Sequence, residues 1–274
     1  HGFLRLREAI KQSCDIYFYE VARRLGVDRL AVTANKFGLG NKVFDILDEE
    51  QTGLVPTTKW KLKNIGRGWV LGETLLAGIG QGLILATPLQ LVVMMARLVN
   101  GGKAVLPRLA IDSLLTNDGS ELSNGSEFSD LGIDTPYLNL MKTAMTKVTT
   151  SPVGTAYKAR IRKPGYQYGG KTGTVQVRRI SEAERESESG VKKNKDLKWA
   201  ERDHALFVGY APVESPRYAV SVVVEHGGGG STIAAPIAKD ILFEVQKRHS
   251  SRSRLNRGAD PNGSPSPNKN KISG

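Results

Sequence analysis

Between Leu4 and Leu25 the apolar residues recur with a helical period. Leu6, Ile10, Tyr17, Val21 and Leu25 share one face, and Gly26 closes the run. A shorter helix is predicted from Asp28, as its N-cap, to Phe37, stopped by Gly38 and Gly40. Residues 41–73 show no clear period and read as irregular. Thr87 and Pro88 have the chemistry of an N-cap and a first helical position. A helix is therefore expected from Leu89 to Val99, ended by Asn100-Gly101-Gly102. Another is expected from Pro136 to Val148. The pattern then changes to strands at Gly170 to Val177, His204 to Tyr210 and Tyr218 to Glu225, with Ala211-Pro212 through Ser215-Pro216 turning the last two into a hairpin. Ser231-Thr232 caps a final helix from Ile233 to Arg248.

The 23 residues from Thr74 to Ala96 carry no formal charge, a length that could span a bilayer. Gly78, Gly80 and Gly82 around Gln81, with Pro88 in the middle, argue instead for a buried glycine-rich turn leading into a helix. The whole chain has 274 residues, of which 39% are hydrophobic, enough for one domain with a substantial core. Its net charge of +12 raises nucleic acid or an anionic membrane as a partner. The distribution weakens that reading. Part of the excess lies in residues 249–274, which are rich in Ser, Pro, Asn and Gly and are expected to form a disordered basic tail after a folded domain at 1–248. The rest is scattered among acids without aromatic interleaving, so no nucleic-acid partner is expected. Residues 178–203 contain eight basic and seven acidic side chains, the balance of a solvated insertion loop. Cys14 is the only cysteine, which excludes an internal disulfide and fits a small buried apolar side chain. No Cys and His cluster has metal-ligand spacing, and His204 and His226 read as strand-end and loop residues. Neither a metal nor a cofactor is expected.

The chemistry concentrates in Gly169-Gly170-Lys171-Thr172-Gly173-Thr174. Lysine supplies a point charge, threonine hydroxyls donate and orient, and glycine lets a ligand backbone approach. The letters from Gly165 to Thr172 also fit Gly-x4-Gly-Lys-Thr, the phosphate loop of nucleotide hydrolases. That loop needs an apolar strand before it and a helix after it. Here Lys158, Arg160, Arg162 and Lys163 precede it and a strand pattern follows, so the nucleotide reading is a remote alternative.

Several further segments, in order, carry a resemblance. Leu6 to Tyr19 contains Ser13-Cys14-Asp15; Gly78-Ile79-Gly80-Gln81-Gly82 is followed by Ala86-Thr87-Pro88-Leu89-Gln90; Gly154-Thr155-Ala156 precedes the Lys-Thr-Gly triplet; His204 to Pro212 and Tyr218 to Gly230 follow it. From Phe3 to about Arg248 the chain resembles the class B penicillin-binding proteins, nearest to their penicillin-binding protein 2 branch. The resemblance implies a peptidoglycan D,D-transpeptidase, in which a serine attacks a D-alanyl-D-alanine terminus and passes the acyl group to a neighbouring stem-peptide amine. Lys171 would lend charge to the site, while the Thr172 and Thr174 hydroxyls bind the substrate carboxylate. The Thr174 backbone N–H would be one of two oxyanion donors, and Gly173 would stay small so that substrate lies along the strand. Ser13 would relay a proton. Asp15 stands where the family usually has asparagine; a carboxylate accepts from an N–H or pairs with lysine but cannot donate.

The resemblance implies an α/β (α+β) fold: an antiparallel β-lactamase/transpeptidase-like sheet of about five strands flanked by helices, with an all-helical region holding Ser13. It also implies peptidoglycan stem peptides, β-lactam antibiotics and the cell-elongation machinery, including a membrane glycosyltransferase, as partners, at the periplasmic face of the bacterial inner membrane. One family element is missing from these letters. The nucleophile's Ser-x-x-Lys should precede Ser13, where no serine occurs, and the matches at Ser189 to Lys192 and Ser266 to Lys269 lie in hydrophilic segments. The expectation is thus a partial, N-terminally truncated transpeptidase domain, inactive alone, with uncovered apolar surface and a free sheet edge. The alternative is an inactive remnant of the family acting only as a binding module.

Overall fold

A computed structural model of the chain describes residues 1–44, 48–107, 128–178, 180–187 and 190–258. The predicted first helix is two. Helix α1 (Leu6–Gln12) ends at Ser13, which takes the left-handed conformation at φ 52°, and α2 (Asp15–Leu25) starts afresh. The break holds because Ser13 N–H bonds to Ile10 O at 3.2 Å and Cys14 N–H to Ala9 O at 2.9 Å, closing α1 in the way a glycine usually would. Cys14 is buried, as expected of it.

Helix α3 (Val27–Lys36) starts one residue before the expected cap. Asp28 serves a different helix, accepting from Thr58 N–H at 2.9 Å and from its hydroxyl at 2.8 Å. That contact helps to start α4 (Thr58–Ile65), a helix within a stretch whose sequence shows no clear period. Helix α5 (Leu71–Gly78) follows, tied to α4 by the buried Lys61, whose ammonium lies 2.5 Å from Glu73 Oε1. The glycine-rich turn leads into α6 (Pro88–Val99), where Thr87 is the N-cap as expected and Gln90 completes a reciprocal cap with it. Gln90 is fully buried, and its amide also donates to the carbonyls of Asn41 and Thr52 at 2.7 and 2.8 Å, pinning the chain at those two points to α6. No described helix is long and apolar enough to cross a membrane.

After α7 (Thr135–Thr150) come the strands β1 (Gly169–Val175), β2 (His204–Ala211) and β3 (Tyr218–Val224). Among the described residues they form one antiparallel sheet in the order β1-β2-β3, with Lys171 opposite Val208 and Phe207 opposite Val222. Between β1 and β2 the insertion holds a short helix, α8 (Glu182–Glu186). The last helix opens with a π-helical turn, Gly230–Ala234, and continues as α9 (Ala235–Gly258), past Arg248 where its end was expected. Residues 259–274 of the expected tail, and Ser189 and the Ser266 to Lys269 match, lie outside the described residues.

Alternation along β2 sets the layers. Ala205, Phe207 and Ala211 face one side and pack with Tyr168, Ala234, Ala238 and Leu242, so α9 covers that face. Tyr210 faces the other side with Ile10, Met95, Ala144 and Met145 from α1, α6 and α7. Each large apolar side chain sealed this way contributes on the order of 2 kcal/mol. The Tyr210 hydroxyl donates to Lys142 O at 2.8 Å and lies 2.9 Å from Thr146 Oγ1, which fixes α7 against the sheet. The α/β arrangement of an antiparallel sheet flanked by helices is the expected one.

Candidate functional site

Edge strand β1 and the α1–α2 break meet at a cavity of about 640 Å³. Its polar wall contains Ser13, Asp15, Gln81, Lys171, Thr172 and Thr174; its apolar wall includes Ile10, Phe18, Met95 and Met145. All six site residues expected from the sequence line this one space, Gly173 included.

Ser13 reaches it because of its backbone. A left-handed conformation in a residue other than glycine is uncommon and marks places where surrounding structure dictates geometry. It brings the Ser13 hydroxyl within 2.7 Å of Lys171 Nζ, which donates to it. Lys171 also donates to Thr172 O at 2.9 Å. Burial of its ammonium pushes the Lys171 pKa down to about 8, partly opposed by the negative charge of Asp15. Asp15 is the first residue of α2, where a carboxylate complements the helix dipole.

The threonines are held as well. Thr172 Oγ1 lies 3.0 Å from Thr155 Oγ1, and Thr155 N–H is bonded to Lys11 O at 3.3 Å, linking the strand to α1. Thr174 Oγ1 accepts from Gly230 N–H at 3.4 Å, and Gln81 Nε2 donates to Thr174 O at 2.9 Å. Gly230 packs flat on the sheet: a Cβ there would lie 2.2 Å from Gly173 O and 2.4 Å from Leu206 O. Lysine and the two hydroxyls thus present an anion-binding surface, and the outward backbone N–H groups of β1 add donors to it.

Three contributors were not assigned any chemistry from sequence: Gln81, Thr155 and Gly230. Gln81 and Thr155 stand inside segments that carried the resemblance, but their partners are remote in the chain and no local pattern signals them. Lys171 and Thr172 lie within β1, which runs on to Val175 with no helix starting directly from them, so the phosphate-loop alternative has no helix N-terminus to use.

Beyond the far end of β1, an ion pair ties Arg178 to α8. Arg178 makes two bonds of 2.6 Å to the Glu184 carboxylate, which holds that carboxyl down at about 2. His204 Nδ1 accepts from His226 N–H at 2.9 Å, and the two rings lie 4.7 Å apart. Among the described residues no group of three or more His, Cys, Asp or Glu side chains could hold a metal ion.

Comparison with known proteins converges on one family. The sequence model of the penicillin binding protein transpeptidase domain matches residues 1–243. Peptidoglycan D,D-transpeptidase MrdA of Haemophilus influenzae is 37% identical over 248 residues, covering 88% of this chain and 36% of the relative. MrdA of Escherichia coli K12 is 34% identical over 252 residues, covering 89% and 37% respectively. Pseudomonas aeruginosa PBP2, solved in complex with WCK 5153, superposes with a TM-score of 0.72 at 37% identity, covering 88% of this chain and 49% of that one. Helicobacter pylori PBP2, solved in complex with MreC, gives 0.74 at 30% identity, covering 90% and 41%. The chain therefore spans less than half the length of each of these relatives.

Proposed function

The chain belongs to the penicillin-binding protein transpeptidase family, and from that premise we propose that it forms the substrate clamp and proton-relay half of a peptidoglycan D,D-transpeptidase. The observation that carries this reading is the contact of Ser13 with Lys171 directly beside the Thr172 to Thr174 edge, inside one cavity. The edge binds the terminal carboxylate of a D-alanyl-D-alanine stem peptide through Lys171, Thr172 and Thr174. Thr174 N–H stabilises the oxyanion as a serine hydroxyl attacks the penultimate carbonyl. The proton released by that serine passes through Ser13 to the leaving amine, and free D-alanine departs. An acceptor amine then attacks the ester, returns a proton to the serine oxygen, and completes the cross-link. Burial lowers the Lys171 pKa to about 8 and the charge of Asp15 opposes that fall, so Lys171 is cationic at neutral pH.

The attacking serine belongs, in this reading, to a part of the protein outside these residues, so the 274-residue chain binds without catalysing. The apolar wall of the cavity and the length of the relatives support that division. For the whole protein the reading extends to the periplasmic face of the inner membrane, to β-lactams as acylating ligands, and to the elongation machinery with a membrane glycosyltransferase. The relative solved with MreC supports a cell-shape partner.

The test is release of D-alanine from an acyl-D-alanyl-D-alanine peptide by the whole protein. Lys171→Met should lower kcat/KM at least 100-fold while the melting temperature stays near wild type, and undiminished release would remove the clamp assignment.

A further inference from the structure

Just before and along β1, three carbonyls at positions separated by even steps accept from side chains. Tyr168 O accepts from the Thr149 hydroxyl, Thr172 O from Lys171 Nζ at 2.9 Å, and Thr174 O from Gln81 Nε2 at 2.9 Å. At a position whose acceptor is filled the edge offers a ligand only its donor, whereas an extended ligand laid beside a strand exchanges both N–H and C=O with it.

The three caps differ in how easily they can be removed. Thr149 is 1% exposed and locked under the sheet. Lys171 is fixed from two sides, by Ser13 and by Thr172 O. Gln81 stands at the open end of the edge, and its backbone is tied separately, N–H to Leu76 O at 2.9 Å, so its side chain can leave Thr174 without disturbing the turn.

We propose that Gln81 is a specificity-determining residue: its side-chain amide holds the Thr174 carbonyl until a ligand bearing a suitably placed amide N–H displaces it. The inference rests on the transpeptidase reading of the site. In an antiparallel pairing, the ligand residue whose carbonyl takes Thr174 N–H also presents its own N–H to Thr174 O. For a D-alanyl-D-alanine end, that residue is the penultimate one. Binding exchanges one N–H···O=C bond for another, so the ligand N–H counts for little in the presence of Gln81. Gln81 thereby lets the edge accept ligands with and without that N–H more evenly than a bare strand would.

The experiment compares D-alanine release by the whole protein from acyl-D-alanyl-D-alanine and from the matched compound in which an ester oxygen replaces the penultimate N–H. The ratio of kcat/KM for the two is read in wild type, Gln81→Leu and Gln81→Glu, neither variant being able to donate to a carbonyl. The expected result is a ratio about three- to tenfold larger in the variants than in wild type, the worth of one hydrogen bond no longer offset. An unchanged ratio, or an equal loss on both substrates showing that Gln81 only braces the strand, overturns the inference. Should Gln81→Leu fail to fold by thermal unfolding, the isosteric Gln81→Glu decides alone. Absence of release from wild type itself would instead strike at the transpeptidase reading.

Discussion

Ser13 and Lys171 stand 158 positions apart in the chain, yet the Lys171 ammonium donates to the Ser13 hydroxyl at 2.7 Å. A left-handed residue at the end of α1 and a half-buried lysine in an edge strand make that contact together. The consequence is a cation with its pKa brought down to about 8 beside a hydroxyl that can accept and donate in turn.

Titration of Lys171 gives the first prediction. Its folded pKa lies below the ordinary 10.5, so the cation is present at neutral pH and lost as pH rises through about 8. Calorimetric affinity of the whole protein for a carboxylate-ended peptide should fall across that range, and Lys171→Arg should remove the inflection because guanidinium stays charged. Between about 8 and 10.5 the unfolded chain binds more protons at this position than the folded one. This group therefore destabilises the fold below pH 8, and its penalty is relieved as pH climbs toward 10.5. An affinity flat from pH 7 to 9 would place the anion elsewhere.

Thr155 should act on the edge selectively. Thr155→Val keeps its shape and removes the hydroxyl beside Thr172 Oγ1, while Thr155→Ser keeps the hydroxyl. The valine variant should bind a carboxylate-ended peptide about three- to tenfold more weakly, with the serine variant near wild type. Equal affinity for the two variants would show that the hydroxyl pair is incidental.

Much of the chain was legible because its signals are local. Thr87 and Pro88 mark the start of α6 and Asn100-Gly101-Gly102 its stop, so the helix could be read to its last residue. The strands announced themselves by alternation, and Lys171-Thr172-Gly173-Thr174 by residue type. The break at Ser13 was hidden because the apolar period runs through it and the left-handed residue is neither glycine nor asparagine. Helix α4 was hidden for another reason. Its Thr-Lys-Trp-Lys-Leu-Lys-Asn-Ile sequence is weakly amphipathic, and Asp28 and Glu73, from elsewhere in the chain, hold it. Ser13 and Asp15 were found through family resemblance, and Gln81 acquires meaning only when the turn folds against Thr174.

Glycines beneath the site set a stability limit. At Gly154 a Cβ would lie 2.3 Å from Val148 O and 2.4 Å from Lys147 O, and at Gly230 it would meet Gly173 O at 2.2 Å. Gly154→Ala and Gly230→Ala should each lower unfolding free energy by about 1–3 kcal/mol or more, because rigid backbone must move. Denaturant unfolding measures this; stabilities within about 0.5 kcal/mol of wild type would mean that the packing is looser than drawn.

The insertion should open independently of the site. Glu184 is held ionised by Arg178, so this ion pair supports the folded insertion above the ordinary carboxylate range and is lost as pH falls through about 2. Glu184→Gln should speed proteolytic cleavage within 178–203 at pH 7 and leave peptide affinity unchanged. Cleavage at the wild-type rate would show that other contacts anchor it.

If these residues clamp the substrate and relay protons, the attacking serine lies outside them. Fluorescent penicillin labelling of both the whole protein and the 274-residue chain, with the modified peptide located by mass spectrometry, tests it most directly. The expected result is an adduct on the whole protein, at a serine outside residues 1–274, and none on the chain alone. An adduct on Ser13, which its 2.7 Å contact with Lys171 would make the nucleophile, would contradict it.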